Sequence, residues 1–264
     1  MPQSSDLVRY SAQDGIAVLE LHHPPANTYS YEMMRELDEA ILAARFDPAV
    51  HVLVLRGAGD RFFCAGADIA MLEGADPTFK YHFCLHANET LCRLEQTPKL
   101  VIAALNGHTV GGGLEIALAA DLRVARRGAG KIGLPEVALG VLPGTGGTQR
   151  LARLLGPARA IELMVSGRTF EVDEALALGL VNRVIDGDDF FGQVIEWARE
   201  FLPPRRASRA VGLIKRAVQS GGELPLAAGL ALERELQQRL FEGDDAREGL
   251  AAYRDKRPPE FRGR

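Results

Sequence analysis

The sequence predicts an α/β fold, and two observations carry the prediction. Short runs rich in Val, Leu and Ile, bounded by turn residues, alternate with stretches of helical apolar spacing, as expected when helices cover the faces of a buried sheet. Beyond about Pro157 the pattern turns almost wholly helical. At 264 residues, with 47% apolar and 25% charged side chains, the chain can bury a sizeable core, and its length suits one large domain or a domain with an appendage.

The elements follow in order. Residues 16–21 (IAVLEL) read as a strand. Residues 32–46 read as a helix, since Met33, Met34, Leu37, Ile41 and Leu42 share one face and Pro48 lies just past the end. A strand at 50–56 (VHVLVLR) comes next, then a weaker helical pattern at 77–95, then strands at 100–105 (LVIAAL) and 122–125 (LRVA). Helices are expected at 158–165, 173–180, 189–202, 208–220, 226–241 and 244–254, with the late strand signal confined to 184–185. Proline removes a backbone donor and interrupts helices, so the Pro203-Pro204 pair marks the expected boundary. It divides a core at 1–202 from a helical region at 203–264. No internal repeat of clear sequence identity is visible.

Charge and composition exclude several function classes. The formal charge of −4 and a pI near 5.9 have the wrong sign for holding polyanions by broad electrostatics, although a local basic pocket is compatible with them. The longest uncharged run, 100–114, contains Asn106, His108, Thr109 and four glycines, and it is shorter than the ~20 apolar residues of a membrane span. Residues 1–10 (MPQSSDLVRY) have neither a basic nor an apolar leader region, so a cytoplasmic protein is expected. Cys64, Cys84 and Cys92 lack CxxC spacing and read as reduced, packed thiols. His82 and His86 could share a helix face, but Phe83 stands where a zinc-binding HExxH motif needs glutamate, and no metal is expected.

Glycine motifs need sorting. The segment Gly128-Ala-Gly-Lys-Ile-Gly133 fits GxGxxG and follows a strand, yet Pro135, Gly140 and Pro143 come soon after it, and no acidic residue stands ~20 positions on to hold a ribose. Ile132 after Lys131, and alanine at position 125, exclude a P-loop. Two other loops are more informative. Residues 63–69 (FCAGADI) and 106–115 (NGHTVGGGLE) each lead from a strand to a helix start, where small residues permit close approach and the first N–H groups lack internal partners. Glu115 begins an otherwise apolar helix, and Glu136 follows Pro135 beside a further glycine-rich loop, 143–147 (PGTGG). Taken singly, the glycines serve turns and the glutamates serve helix starts. Together they supply two carboxylates facing two sets of backbone donors, the parts of an acid/base site with an oxyanion hole.

At these motifs the sequence resembles the crotonase superfamily, the enoyl-CoA hydratase/isomerase family. FCAGADI, NGHTVGGGLEIALAADLRVA, GLPEVALGVLPGTGGTQRL and AREGLAAYRDKR occur in family order and spacing, and the resemblance runs from about Tyr10 to Arg262. It implies a spiral of ββα repeats with a helical C-terminal region that builds trimers, commonly paired as dimers of trimers. It also implies acyl-CoA thioester substrates and an enolate intermediate. The N–H groups of Ala67 and Gly112 correspond to the oxyanion-hole donors. Glu115 and Glu136 correspond to the glutamate pair of members that hydrate 2-enoyl-CoA, and the Gly144 N–H to a position near the catalytic water. No cofactor is implied, coenzyme A being part of the substrate.

By the same resemblance the CoA adenine lies against Ala65, Asp68 and Ile69, with Arg61 near the nucleotide phosphates. Thr28, Tyr29 and residues 71–77 fall where relatives line the acyl pocket. Leu250, Tyr253 and Lys256, spaced by three, can share one helix edge, and the resemblance sets Tyr253 and Lys256 against the nucleotide end of CoA, often that of a neighbouring subunit. Two departures stand out. Ala70 replaces a lysine found in many hydratases, and His22-His23-Pro24-Pro25 replaces an N-R-P pattern, with Asn27 retained. The glutamate pair favours a hydratase over an isomerase or a hydratase specialised for branched or aromatic chains. An RNA-binding role, as in at least one relative, is opposed by the net charge.

Overall fold

The computed structural model describes residues 6–263, so the stretch read for a leader lies partly outside it. Strands β1 (Val8–Gln13) and β2 (Ile16–Leu21) form a hairpin closed by Asp14-Gly15, both at positive φ, 50° and 83°, as a two-residue primed turn requires. Helix α1 (Tyr31–Phe46) follows, capped by the Ser30 side chain on Met33 N. Three ββα units come next. The first is β3 (Val52–Gly57), β4 (Phe62–Cys64), α2 (Ile69–Glu73) and α3 (Pro77–Glu95); the second is β5 (Leu100–Leu105), β6 (His108–Val110) and α4 (Gly112–Leu118). The third is β7 (Leu122–Arg126) and β8 (Ile132–Gly133), then a 3-10 turn at Glu136–Leu139, α5 (Gly147–Leu155), α6 (Pro157–Ser166) and α7 (Val172–Ala177). Strand β9 (Arg183–Ile185) and helices α8 (Phe190–Arg199), α9 (Ser208–Gly221), α10 (Leu226–Phe241) and α11 (Asp244–Asp255) complete the chain.

Each unit places its first strand in one sheet and its second in another. The larger sheet has the order β1-β2-β3-β5-β7-β9, parallel except for β1; the smaller is β4-β6-β8, all parallel. The chain therefore winds as the expected spiral. Alternation along the large-sheet strands separates two apolar layers: Leu19, Leu53, Leu55, Val101 and Ala103 face the helices that carry the site, while Val52, Val54, Ile102 and Val124 face Val194 and Ala198 of α8. Strand β5, buried at every position, reads as a continuous apolar run for that reason.

The sequence reading missed β1, whose residues are mostly exposed and polar, and β4, β6 and β8, which are too short to show a period. Beyond Pro203-Pro204, α9 is tied to the core. The buried Lys215 Nζ lies 2.8 Å from Oδ2 of the largely buried Asp121, and a Cβ on Gly212 would stand only 2.2 Å from the Pro98 carbonyl. Helices α10 and α11 instead leave Leu226, Phe241, Leu250 and Tyr253 exposed. Among the described residues no helix is long and apolar enough to cross a membrane.

Candidate active site

Helix α4 is buried along its whole length, which explains why it is apolar all round except at Glu115. Its glycines let it press against its neighbours: a Cβ on Gly113 would meet the Cys64 carbonyl at 2.1 Å, and one on Gly112 would meet the Tyr29 ring at 2.3 Å. At the other end the buried Arg123 guanidinium donates to Ala120 O (2.8 Å), just past the helix terminus, and ties it to Leu180 O (2.7 Å) beyond α7. Both ends of α4 are thus fixed.

The two small-residue loops meet at its N-terminus. Tyr29 N donates to Gly66 O and Asp68 N donates to Tyr29 O, each at 2.9 Å, which brackets Ala67 in a parallel bridge and turns its own N–H to the opposite side. Gly66, at φ 97°, packs so closely that a Cβ there would lie 3.3 Å from Gly112 N. Gly112 opens α4, so its N–H has no acceptor within the helix. Two buried asparagines pin the connection from β3 to β4: Asn27 Nδ2 donates to Ala58 O and Phe62 O, and Asn106 Nδ2 donates to Gly57 O and Gly59 O. Asn106 was not singled out in the sequence, because its partners lie far along the chain.

The glutamates occupy unlike surroundings. Glu115 is 2% exposed, and its Oε1 accepts from Thr145 N (2.8 Å) and Gly147 N (2.7 Å), while Oε2 accepts from the Thr145 hydroxyl. Gly144 directly precedes this donor loop, over the Cys84 thiol. Glu136 lies across the site, its Oε1 3.2 Å from the point a Cβ on Gly111 would occupy. Its buried Oε2 has no hydrogen-bond partner. Burial, with the Glu115 charge adding to it, pushes the Glu136 carboxyl up to about 7.

The remaining residues read from the sequence divide into two groups. Asp68 caps α2 through Met71 N (2.9 Å), Ala65 N donates to Ala26 O (3.0 Å), and Ile69 is exposed at the same loop. Arg61 borders a cavity of about 400 Å³ shared with Arg9, His22 and Asn27. Tyr253, 88% exposed, and Lys256, also exposed, form no hydrogen bond or ion pair with that loop. Tyr253 lies on α11, which packs against α10. As for the histidines, His82 lies on Tyr81 and His86 on Tyr31, and among the described residues no His/Cys/Asp/Glu group could hold a metal ion.

This arrangement of crossed ββα units, paired glycine loops and two glutamates agrees with the fold that the family resemblance implies. Residues 11–264 match the enoyl-CoA hydratase/isomerase family, and the chain belongs to it. Over 250 residues it is 36% identical to a crotonyl-CoA hydratase of Syntrophomonas wolfei, covering 94% of this chain and 95% of that one. A methylglutaconyl-CoA hydratase of Rattus norvegicus is 36% identical over 254 residues, covering 94% of this chain and 80% of the relative. Among solved structures, an enoyl-CoA hydratase from Geobacillus kaustophilus superposes with a TM-score of 0.95 at 48% identity, covering 98% and 97% of the two chains.

Proposed function

We propose that the protein is an enoyl-CoA hydratase, adding water reversibly across the C2=C3 bond of a trans-2-enoyl-CoA to give a 3-hydroxyacyl-CoA. The contrast between the two glutamates carries this reading. Glu115, held by three donors, orients and deprotonates the water that attacks C3. Glu136, whose proton is retained to about pH 7, delivers that proton to C2. As C2 gains carbanion character, charge grows on the thioester oxygen, and the Ala67 and Gly112 N–H groups receive it, aided by the positive end of α4. The Gly144 N–H holds the water from the far side.

The same reading assigns the rest of the substrate. Ala65, Asp68 and Ile69 take the adenine, and Arg61 takes the phosphates. Tyr253 and Lys256 complete the nucleotide site across a subunit boundary, in a trimer or a dimer of trimers. The exposed apolar side chains of α10 and α11, and the reach of those helices away from the core, support that assembly. Three unpaired thiols suit a reducing cytoplasm. The test is turnover of short, long, branched and aryl enoyl-CoAs, followed by loss of the conjugated thioester absorbance. Hydration of at least one is expected. Migration of the double bond without hydration would replace the reading with an isomerase.

A further inference from the structure

Tyr29, which the family resemblance sets at the acyl pocket, also reaches the hydrogen bonds around Glu115. The side chain is 3% exposed, and its ring fills the space Gly112 leaves, stacked on Phe83 at 5.7 Å between centroids, with Phe83 stacked in turn on Phe79. A buried ring stacked on Phe83 and pressed against Gly112 sets its hydroxyl 3.2 Å from Thr145 Oγ1. That same Oγ1 lies in short contact with Glu115 Oε2. The hydrogens can be assigned: a carboxylate only accepts, so Thr145 spends its single hydroxyl hydrogen on Glu115, and the hydrogen between Tyr29 and Thr145 comes from the phenol. Burial, and then the Glu115 charge, raise the phenol well above its usual value, so it remains a donor throughout the working range.

We propose that Tyr29 is a positioning residue for the water-handling carboxylate. Its phenol fixes the Thr145 hydroxyl, and Thr145 fixes Glu115 Oε2, while the backbone donors hold Oε1. The proposal rests on the hydratase reading, because the group it positions is the one assigned there to the attacking water. A carboxylate held at one oxygen alone can pivot. The loss would then fall on alignment in the transition state and not on substrate binding.

The test combines kinetics and a resonance. With crotonyl-CoA, Tyr29→Phe keeps the ring and removes the hydrogen bond. It should lower kcat roughly five- to tenfold with KM held within about twofold, in keeping with one lost hydrogen bond to a buried group. Thr145→Val should cost more, roughly a hundredfold, because a charged acceptor loses its partner, and Thr145→Ser should restore most of the rate. In the double variant Tyr29→Phe should add less than about twofold to Thr145→Val. An unchanged kcat in Tyr29→Phe, or additive losses, overturns the relay. Independently of turnover, the ring-labelled Tyr29 resonance, assigned by its disappearance in Tyr29→Phe, should stay un-ionised where a free phenol ionises, and should shift in Thr145→Val. A resonance unmoved by that change also overturns it. A wild-type chain that hydrates no enoyl-CoA removes both the activity and the positioning role, whereas normal hydration with an unmoved resonance removes the relay alone.

Discussion

Helix α4 presents Glu115 to three hydrogen-bond donors of the 143–147 loop, whereas the 3-10 turn at Glu136–Leu139 leaves one buried oxygen of Glu136 with none. The two side chains are chemically identical. The difference lies in what each element faces: α4 is packed on every side and looks onto the N–H groups of the 143–147 loop, while Glu136 of the turn lies beside Gly111, which supplies no side chain. Water addition needs one group that accepts a proton and one that gives it, and on the proposed reading differential solvation would let one residue type serve as both. Environment, more than residue identity, sets the role.

The sharpest way to break this comparison is to neutralise each side in turn. Glu115→Gln and Glu136→Gln should each lower hydration by roughly 10²–10⁴-fold, the range for loss of a general acid or base, while leaving acyl-CoA binding within a fewfold of wild type by calorimetry. Near-normal turnover in either variant would end the division of labour. Slightly smaller effects are expected at the oxyanion donors. Ala67→Pro should cost roughly 10²–10³-fold in kcat, since it deletes a backbone N–H, and Ala67→Ser should cost little. Equal losses in both would point to packing instead of donation.

Titration sharpens the contrast further. If Glu136 gives its proton to C2, kcat/KM for hydration should fall as pH rises through about 7, and that limb should be absent in the residual activity of Glu136→Gln. Stability follows the same group. Its folded value of about 7 exceeds the ordinary 4.5, so the folded chain binds the proton more tightly; the resulting stabilisation is complete below 4.5 and lost as pH rises through 7. Glu136→Gln should therefore match the wild type in acid and exceed it by about 1–2 kcal/mol in denaturant titrations above neutrality, the partly solvated side of the carboxyl reducing the full value. Equal stabilities at both ends of the range would remove the desolvation argument. The smallest effect is expected far from the chemistry. Lys256→Ala should weaken CoA-ester affinity by roughly two- to fivefold at low salt and leave kcat unchanged, as an exposed ion pair across subunits would. A fully active monomer in sedimentation would defeat that contact and the assembly together.

Much of the candidate site was legible in the sequence, because its proposed groups lie in motifs contiguous in the chain. The glycines at 111–113 and 66 belong to loops whose spacing announces close approach, and Glu115 and Glu136 stand out as charges beside apolar or glycine-rich stretches. The two-sheet spiral was harder to see. Strands of two or three residues carry no period, and β1 lies at an exposed edge where polar side chains hide it. The Asp14-Gly15 pair was the available signal for its hairpin. Tyr253 and Lys256 were read from the sequence as a helix edge, and their place at the nucleotide end of CoA came only from the family resemblance.

By itself, then, the sequence determined the α/β alternation, the helical C-terminal region, the donor loops and the presence of two carboxylates. These depend on local propensity and on residues adjacent in the chain. Only the tertiary structure decided that Thr145, 30 residues from Glu115, closes on its carboxylate, and that Tyr29, 116 residues from Thr145, reaches the same hydroxyl. It also decided that Glu136 Oε2 is buried without a partner. Hydrogen bonds and desolvation act through space, and the groups that impose them on these two glutamates come from separate turns of the spiral, so no window of sequence contains them.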